Sequence, residues 1–170
     1  MRMPRVWAMI VAGAAAVSLS ACSPAAAPTQ APSGPAPTTA APTDNAYPIT
    51  IEHAFGTTTL TAKPERVATV AWANHEVPLA LGVVPVGMAA ANFADEDGDG
   101  LLPWVKEKLD ELGAETPVLF DESDGIDFEA VADTNPDVIL AAYSGLTQED
   151  YDTLTKIAPT VAFPETPWTT

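Results

Sequence analysis

The sequence predicts an α/β fold, a three-layer sandwich built on a mostly parallel sheet and preceded by a β-hairpin. Three observations carry that expectation. From residue 67 onward, short runs rich in Val, Ile and Leu alternate with segments of helical period. Those segments stop at Gly or shortly before Pro, as Gly82, Gly113 and Pro136 do. Ahead of them, two β-prone runs flank Ala54-Phe55-Gly56, the signature of a hairpin. No internal repeat of about 20–50 residues is visible, which excludes a solenoid or propeller.

In chain order, residues 49–53 (I-T-I-E-H) and 57–61 (T-T-T-L-T) form the hairpin. After K-P-E-R the period changes. Residues 67–71 read as a buried strand, 74–81 as a short helix ended by Gly82, and 83–86 (V-V-P-V) as a second strand. Residues 102–112 are helical up to Gly113, and 117–120 make a third strand. A short helix over 128–133 precedes Asn135-Pro136, and 138–142 is the next strand. Thr147 caps a helix reaching residue 157, with Asp150 in its first turn, and 160–163 closes the series. Residues 164–170 read as a loop without a terminal element, so the domain is expected to be cut short.

The N-terminus is not part of that fold. Arg2 and Arg5 precede an apolar run over residues 6–17, too short to span a bilayer as a mature helix and of the length of a secretory leader. L-S-A-C at 19–22 resembles a bacterial lipobox, in which the Cys thiol receives a lipid. Cys22 is the single cysteine of the chain, so a disulfide or a Cys-ligated metal within it is excluded. Two acyl chains anchor stably where one does not. Residues 22–46 are almost wholly Ala, Pro, Thr and Ser, a composition that cannot form a core and serves as a tether. The expected organisation is therefore a lipoprotein leader over 1–21, Cys22 and a tether to 46, and one folded lobe over 47–170.

Seven basic residues stand against twenty-three acidic ones, a net charge of −16, and removal of the leader takes two of the arginines with it. Nucleic acid and an anionic headgroup layer are thereby improbable partners. Catalytic patterns are missing too. His53 falls in the hairpin and His75 in the first helix, where an exposed surface position is the ordinary outcome, and there is no H-E-x-x-H, no Ser-His-Asp spacing, no G-x-G-x-x-G and no Walker loop. The chain is not read as an enzyme.

Asp95, Asp97, Asp99 and Gly100 reproduce the opening of an EF-hand loop. Position twelve is Lys106, an ammonium where the ion needs a bidentate carboxylate, and no helix is expected before the loop. The stretch reads as an acidic rim, and no metal site is assigned.

In an open parallel sheet, ligands bind beyond the carboxyl ends of the strands. Those ends carry Trp72, Asn74, Tyr143, Ser144 and Trp168. Aromatic faces with a polar handle suit a large, partly apolar, hydrogen-bonding ligand, and they equally suit a cover over the core. Trp104, within L-L-P-W-V, fits the core better than the rim.

Taken together, the lipobox and tether, I-T-I-E-H-A-F-G-T-T-T-L-T-A-K-P-E-R-V-A-T-V, L-A-L-G-V-V-P-V-G, G-I-D-F-E-A-V-A-D-T-N-P-D-V-I-L and A-A-Y-S-G-L-T-Q-E-D-Y-D-T-L-T-K-I-A-P-T-V-A resemble the N-terminal half of the iron-siderophore substrate-binding proteins of ABC importers. The resemblance implies a Rossmann-like lobe of a two-lobed, helix-linked receptor that grips cargo between its lobes and needs no intrinsic cofactor. It supports Trp72, Asn74, Tyr143, Ser144 and Trp168 as ligand contacts and places Glu129 at a permease-docking position. Glu129 also fits as a simple complement to a helix dipole. Expected cargo is a ferric siderophore; with Arg66 the only Arg of the lobe, either a second lobe brings the arginines an anionic catecholate wants or the cargo is a neutral or cationic hydroxamate, and the second is preferred. Haem or cobalamin on the same fold, or a stand-alone interaction lobe, are the alternatives. Expected partners are the importer permease and, through Cys22, the extracytoplasmic face of a bacterial membrane.

Overall fold

The computed structural model describes residues 46–169. The leader, Cys22 and the tether up to residue 45 lie outside the described residues. Strands β1 (Ile49–His53) and β2 (Gly56–Leu60) form the expected antiparallel hairpin, with Ile49 opposite Leu60 and His53 opposite Gly56. Gly56 turns the chain at a φ of 124°, which a side chain would resist.

The other strands, β3 (Val67–Thr69), β4 (Gly87–Ala89), β5 (Val118–Phe120), β6 (Val138–Ala141) and β7 (Thr160–Ala162), make one parallel sheet in the order β5-β4-β3-β6-β7. Helices α1 (Glu76–Ala80), α2 (Pro103–Glu111), α3 (Phe128–Asp133) and α4 (Gln148–Leu154) connect them. The period of two sorts strand side chains between two faces. Ala68, Val70, Phe120, Ile139 and Ala141 pack with Val131 of α3 and Leu154 of α4. On the other face Met88 packs with Leu79 of α1 and with Val105 and Leu109 of α2. Beside it, Val67, Val138 and Val161 meet Ile51 and Leu60 of the hairpin. The three-layer α/β expectation therefore holds.

The hairpin also closes one edge of the sheet. The Ala54 N–H donates to the Phe163 carbonyl at 2.9 Å, and Phe55 stacks on Tyr151 at 5.0 Å and meets Phe163 edge-on at 5.3 Å. Inside this contact the Phe55 N–H donates to His53 Nδ1 at 3.3 Å. That leaves Nε2 as the protonated nitrogen, donating to Thr58 Oγ1 at 3.0 Å, while Thr58 donates onward to the Thr160 carbonyl at 2.5 Å. An otherwise open strand edge is covered and its hydrogen bonds are used.

Four elements differ from their expected positions by two residues or more at one end, and of these β3 stops at Thr69 and not at residue 71. The second strand of the βα series is Gly87–Ala89 and not residues 83–86. Pro85 has no N–H for a ladder, so pairing starts where the Val86 N–H donates to the Val67 carbonyl at 2.8 Å. Gly87 is required inside the strand, because a Cβ there would come within 2.2 Å of the Phe120 ring. Helix α1 starts at Glu76 and not at residue 74, because Ala73 adopts a φ of 63° and the Asn74 side chain is tied to two loops. Helix α4 ends at Leu154, short of residue 157, in a turn where the Ile157 N–H donates to the Leu154 carbonyl at 2.9 Å. Its start is as expected. Thr147 and Asp150 form a reciprocal capping box.

Candidate functional site

Strands β3, β4 and β5 advance in one direction, and β6 returns to the other side of β3. Between the carboxyl ends of β3 and β6 the connections diverge, and a crevice opens there. A cavity of about 290 Å³ occupies it, lined by Ala71, Glu122, Gly125, Ile126, Ser144, Gly145, Leu146, Asp150 and Trp168. Two cavities of about 410 Å³ and about 710 Å³ run along α1 and α2. They are larger, but the first lies between the two helices and the second along α2 and the Glu96-Asp97 stretch of the loop before it, and neither is lined by Trp72, Tyr143 or Trp168.

The backbone around the crevice is held in unusual conformations. Ala71 and Ala73 both have a φ of 63° and Trp168 has 60°, left-handed values that cost a non-glycine residue of order 1 kcal/mol or more each. They turn the Trp72 ring outward, where it is 38% exposed. Trp168 is 50% exposed, with its N–H donating to the Ser144 carbonyl at 2.9 Å and its ring edge-on to Tyr143 at 5.4 Å. The indole lies over Gly145, where a Cβ would fall 2.8 Å from Nε1. Tyr143 is half-buried. The structure thus brings Trp72, Tyr143 and Trp168 to one edge of the sheet, as the strand-end reading anticipates.

Asn74 and Ser144 are at the same edge but have other work. The Asn74 amide donates to the carbonyls of Val70 at 2.7 Å and Tyr143 at 2.8 Å, and its Oδ1 accepts the Tyr143 N–H at 2.9 Å. Ser144 Oγ donates to the Ala141 carbonyl at 2.7 Å, and the residue is wholly buried. In this structure these side chains clamp the β3 and β6 loops that present the aromatic residues, while Ser144 also lines the cavity.

Glu122 stands at a strand end too, in the 121–124 stretch after β5, but is not among the expected ligand contacts. From the end of β5 it reaches across β4, and its carboxyl accepts the Ala71 N–H with both oxygens, at 2.9 and 3.2 Å. Burial pushes it up to about 7 against the pull of that N–H. A signal for it existed in the sequence, since residues 118, 120 and 122 share one face of a strand and Phe120 points into the α3 and α4 core.

The remaining candidates are placed as follows. Glu129 is exposed in the first turn of α3 and forms no ion pair among the described residues. The helix is capped by Asp127, which accepts the Ala130 N–H at 3.0 Å. The carboxylates of Asp95, Asp97 and Asp99 converge within 4.8 Å, and the Lys106 ammonium sits among them, donating to Asp97 at 2.7 Å and to Asp99. The loop holds its own cation. Arg66 is spent at the opposite edge of the sheet, donating to the carbonyls of Thr134 and Asn135. Trp104 is 51% exposed, its indole N–H donating to Glu76 at 3.0 Å, which corrects its expected place in the core. His75 is corrected in the reverse sense, being 4% exposed.

Residues 67–170 match the family described as periplasmic binding protein. The chain belongs to that family. Among solved structures it is similar to PiaA of Streptococcus pneumoniae TIGR4 in complex with ferrichrome, 56% identical with a TM-score of 0.69, over 72% of this chain and 40% of PiaA. It is also similar to a periplasmic solute binding protein of Mycobacterium smegmatis, 32% identical with a TM-score of 0.62, over 72% of this chain and 41% of the other. A curated relative, the probable siderophore-binding lipoprotein YfiY of Bacillus subtilis (strain 168), is 32% identical over 114 residues, which are 66% of this chain and 32% of YfiY. The chain spans well under half the length of these relatives. The expected kinship with periplasmic binding proteins is borne out.

Proposed function

We propose that this chain is the first lobe of an extracytoplasmic receptor, held to the membrane by a lipid on Cys22, that captures a ferric siderophore and delivers it to an ABC importer. The observation that carries the reading is Trp168, which lines the crevice between β3 and β6 with Tyr143 edge-on to it, together with exposed Trp72 at the same carboxyl edge of the sheet. Rings that keep a polar tip and an exposed face suit a bulky chelate with an apolar shell and a hydrogen-bonding periphery. An open crevice of this size covers only one side of such a ligand, so a second wall facing it completes the grip. No resident cofactor enters the scheme, because the iron is cargo.

Charge points to the class of chelate. Arg66 is bound to backbone carbonyls far from the crevice, and the crevice itself is lined by Glu122 and Asp150. An anionic catecholate complex requires cations that this wall lacks, whereas a ferric hydroxamate, whose ligand charges offset those of the iron, does not. The ferrichrome in the PiaA structure is a chelate of the kind favoured here. Exposed Glu129 at the start of α3 serves as the first-lobe contact to arginines of the permease.

The test is tryptophan emission of the full-length receptor titrated with ferrichrome and with its iron-free form. Quenching by the ferric complex at concentrations where the iron-free form has no effect is expected; an equal response to both sinks the ferric-chelate reading.

A further inference from the structure

We propose that Glu122 is a specificity-determining residue of the crevice, presenting an uncompensated carboxylate to cargo so that the site takes uncharged or donor-rich chelates and rejects polyanionic ones. The inference rests on reading this crevice as one wall of a cargo site, and it adds the residue that discriminates.

The argument starts from position. Glu122 leaves the end of β5, crosses β4 and lies beside Ala71, where one N–H meets both of its oxygens. A carboxylate offers about four lone-pair sites, so this single donor leaves most of its accepting capacity unused. Glu122 lines the cavity together with Leu146, Asp150 and Trp168.

The charges around it are all of one sign. Across the cavity stands Asp150 of α4, whose Oδ2 accepts from the Thr147 N–H and hydroxyl. On its own loop Asp121 is engaged by Ser123 and Asp124 is exposed. From α3 the nearest acid, Asp127, caps Ala130, and the loop after β3 contributes no ionisable side chain before buried His75. Among the described residues no Lys or Arg lines the cavity. Burial pushes Glu122 up to about 7, so its charge is fully developed only on the alkaline side of neutrality.

An anion entering this space meets a carboxylate with no cation to neutralise it, and its own desolvation goes unrewarded. A ligand N–H or O–H meets an acceptor that is already positioned. Glu122 therefore acts less by adding affinity for the right cargo than by opposing the wrong one, which is how discrimination between similarly shaped ligands is often achieved.

The experiment uses the full-length receptor and two probes with the same ferric trihydroxamate centre, ferrichrome and a ferrichrome analogue bearing three carboxylates. Their affinities are measured by tryptophan quenching between about pH 6 and about pH 8.5, a range over which the analogue's own carboxylates stay ionised. At the alkaline end the wild-type receptor is expected to prefer ferrichrome by about tenfold or more, and the preference is expected to shrink at the acid end. Glu122→Gln is expected to lower the alkaline preference by about fivefold and to abolish its pH dependence. Glu122→Met, an apolar side chain of similar length, is a second route to the same result should the amide disturb the Ala71 turn. A preference that is unchanged and equally pH-dependent in folded Glu122→Gln and Glu122→Met overturns this inference alone. Failure of the wild-type receptor to bind either probe overturns the crevice reading and this inference with it.

Discussion

Neither ring nitrogen of His75 meets a partner among the described residues, although the residue is almost wholly buried at the start of α1. Burial lowers its pKa, and the neighbouring Glu76 carboxylate only partly opposes that. A base with a depressed folded pKa binds fewer protons folded than unfolded, so its site is undisturbed above the unfolded value of about 6.5 and loses stability as pH falls below it. Glu122 runs the other way. Its raised carboxyl binds more protons folded than unfolded between about 4.5 and about 7, so its contribution is lost as pH rises through that window. His75→Leu, which removes an unpaired buried polar group at similar volume, is expected to stabilise the lobe by about 1 kcal/mol at pH 8 and by more at pH 5. Urea unfolding of variant and wild type at both values checks this, and an equal difference at the two pH values would refute the assignment. That Trp72, Tyr143 and Trp168 stand at the carboxyl edge of the sheet was legible, because strand ends can be read from hydrophobic runs; that Glu122 lines the crevice was not. Which strand-end side chains face outward was hidden as well: Asn74 and Ser144 look like ligand-contacting groups in a sequence, and only the carbonyls that surround them in three dimensions reveal clamps.

The loop between β4 and α2 shows how far a local pattern can be trusted. Asp95 accepts the N–H groups of Gly98 and Gly100, each at 2.8 Å, folding the D-E-D-G-D-G stretch back on itself ahead of Pro103 at the first turn of α2. Lys106, one turn into the helix, then reaches into the carboxylates, and its hydrogen bonds to Asp97 and Asp99 raise its pKa. The spacing is that of a calcium loop whose closing glutamate has been exchanged for a cation. Lys106→Glu is therefore expected to lower the melting temperature in chelator and to recover it in calcium at about millimolar concentration, while the wild type ignores the ion. Scanning calorimetry of both proteins decides it, and a variant indifferent to calcium would show that the loop geometry does not depend on that charge. The same limit explains where the strand reading slipped. V-V-P-V is more hydrophobic than G-M-A, yet the latter forms β4, because a ladder needs N–H groups and because the Phe120 ring rests on Gly87. Hydrophobicity marked the buried segment, and hydrogen bonding and packing decided which residues within it pair.

Across the whole lobe the two edges of the sheet divide the labour. At the amino edge Asp137 accepts the N–H groups of Glu65 and Arg66, at 2.8 and 3.0 Å, and Arg66 closes the same junction, so the charges there are used in holding the first and fourth crossings of the sheet together. The carboxyl edge keeps its aromatic faces and its acids available, and Glu129 stands at this edge because α3 begins where β5 ends. A glutamate whose helix is already capped by Asp127 has no structural duty that its removal would expose, so a change there reads out docking rather than folding. Under the docking role proposed for it, Glu129→Arg reverses the charge offered to the permease and is expected to reduce ferric-chelate uptake by about tenfold or more, since like charges brought together at an interface cost several kcal/mol. Ferrichrome affinity of the purified full-length variant is expected to stay within about twofold, because a charge-assisted contact to the permease is no part of the crevice. Uptake of labelled ferrichrome by cells carrying only the variant receptor, set beside its binding curve, separates the two effects: normal uptake removes the docking role, and a parallel loss of affinity assigns Glu129 to cargo instead.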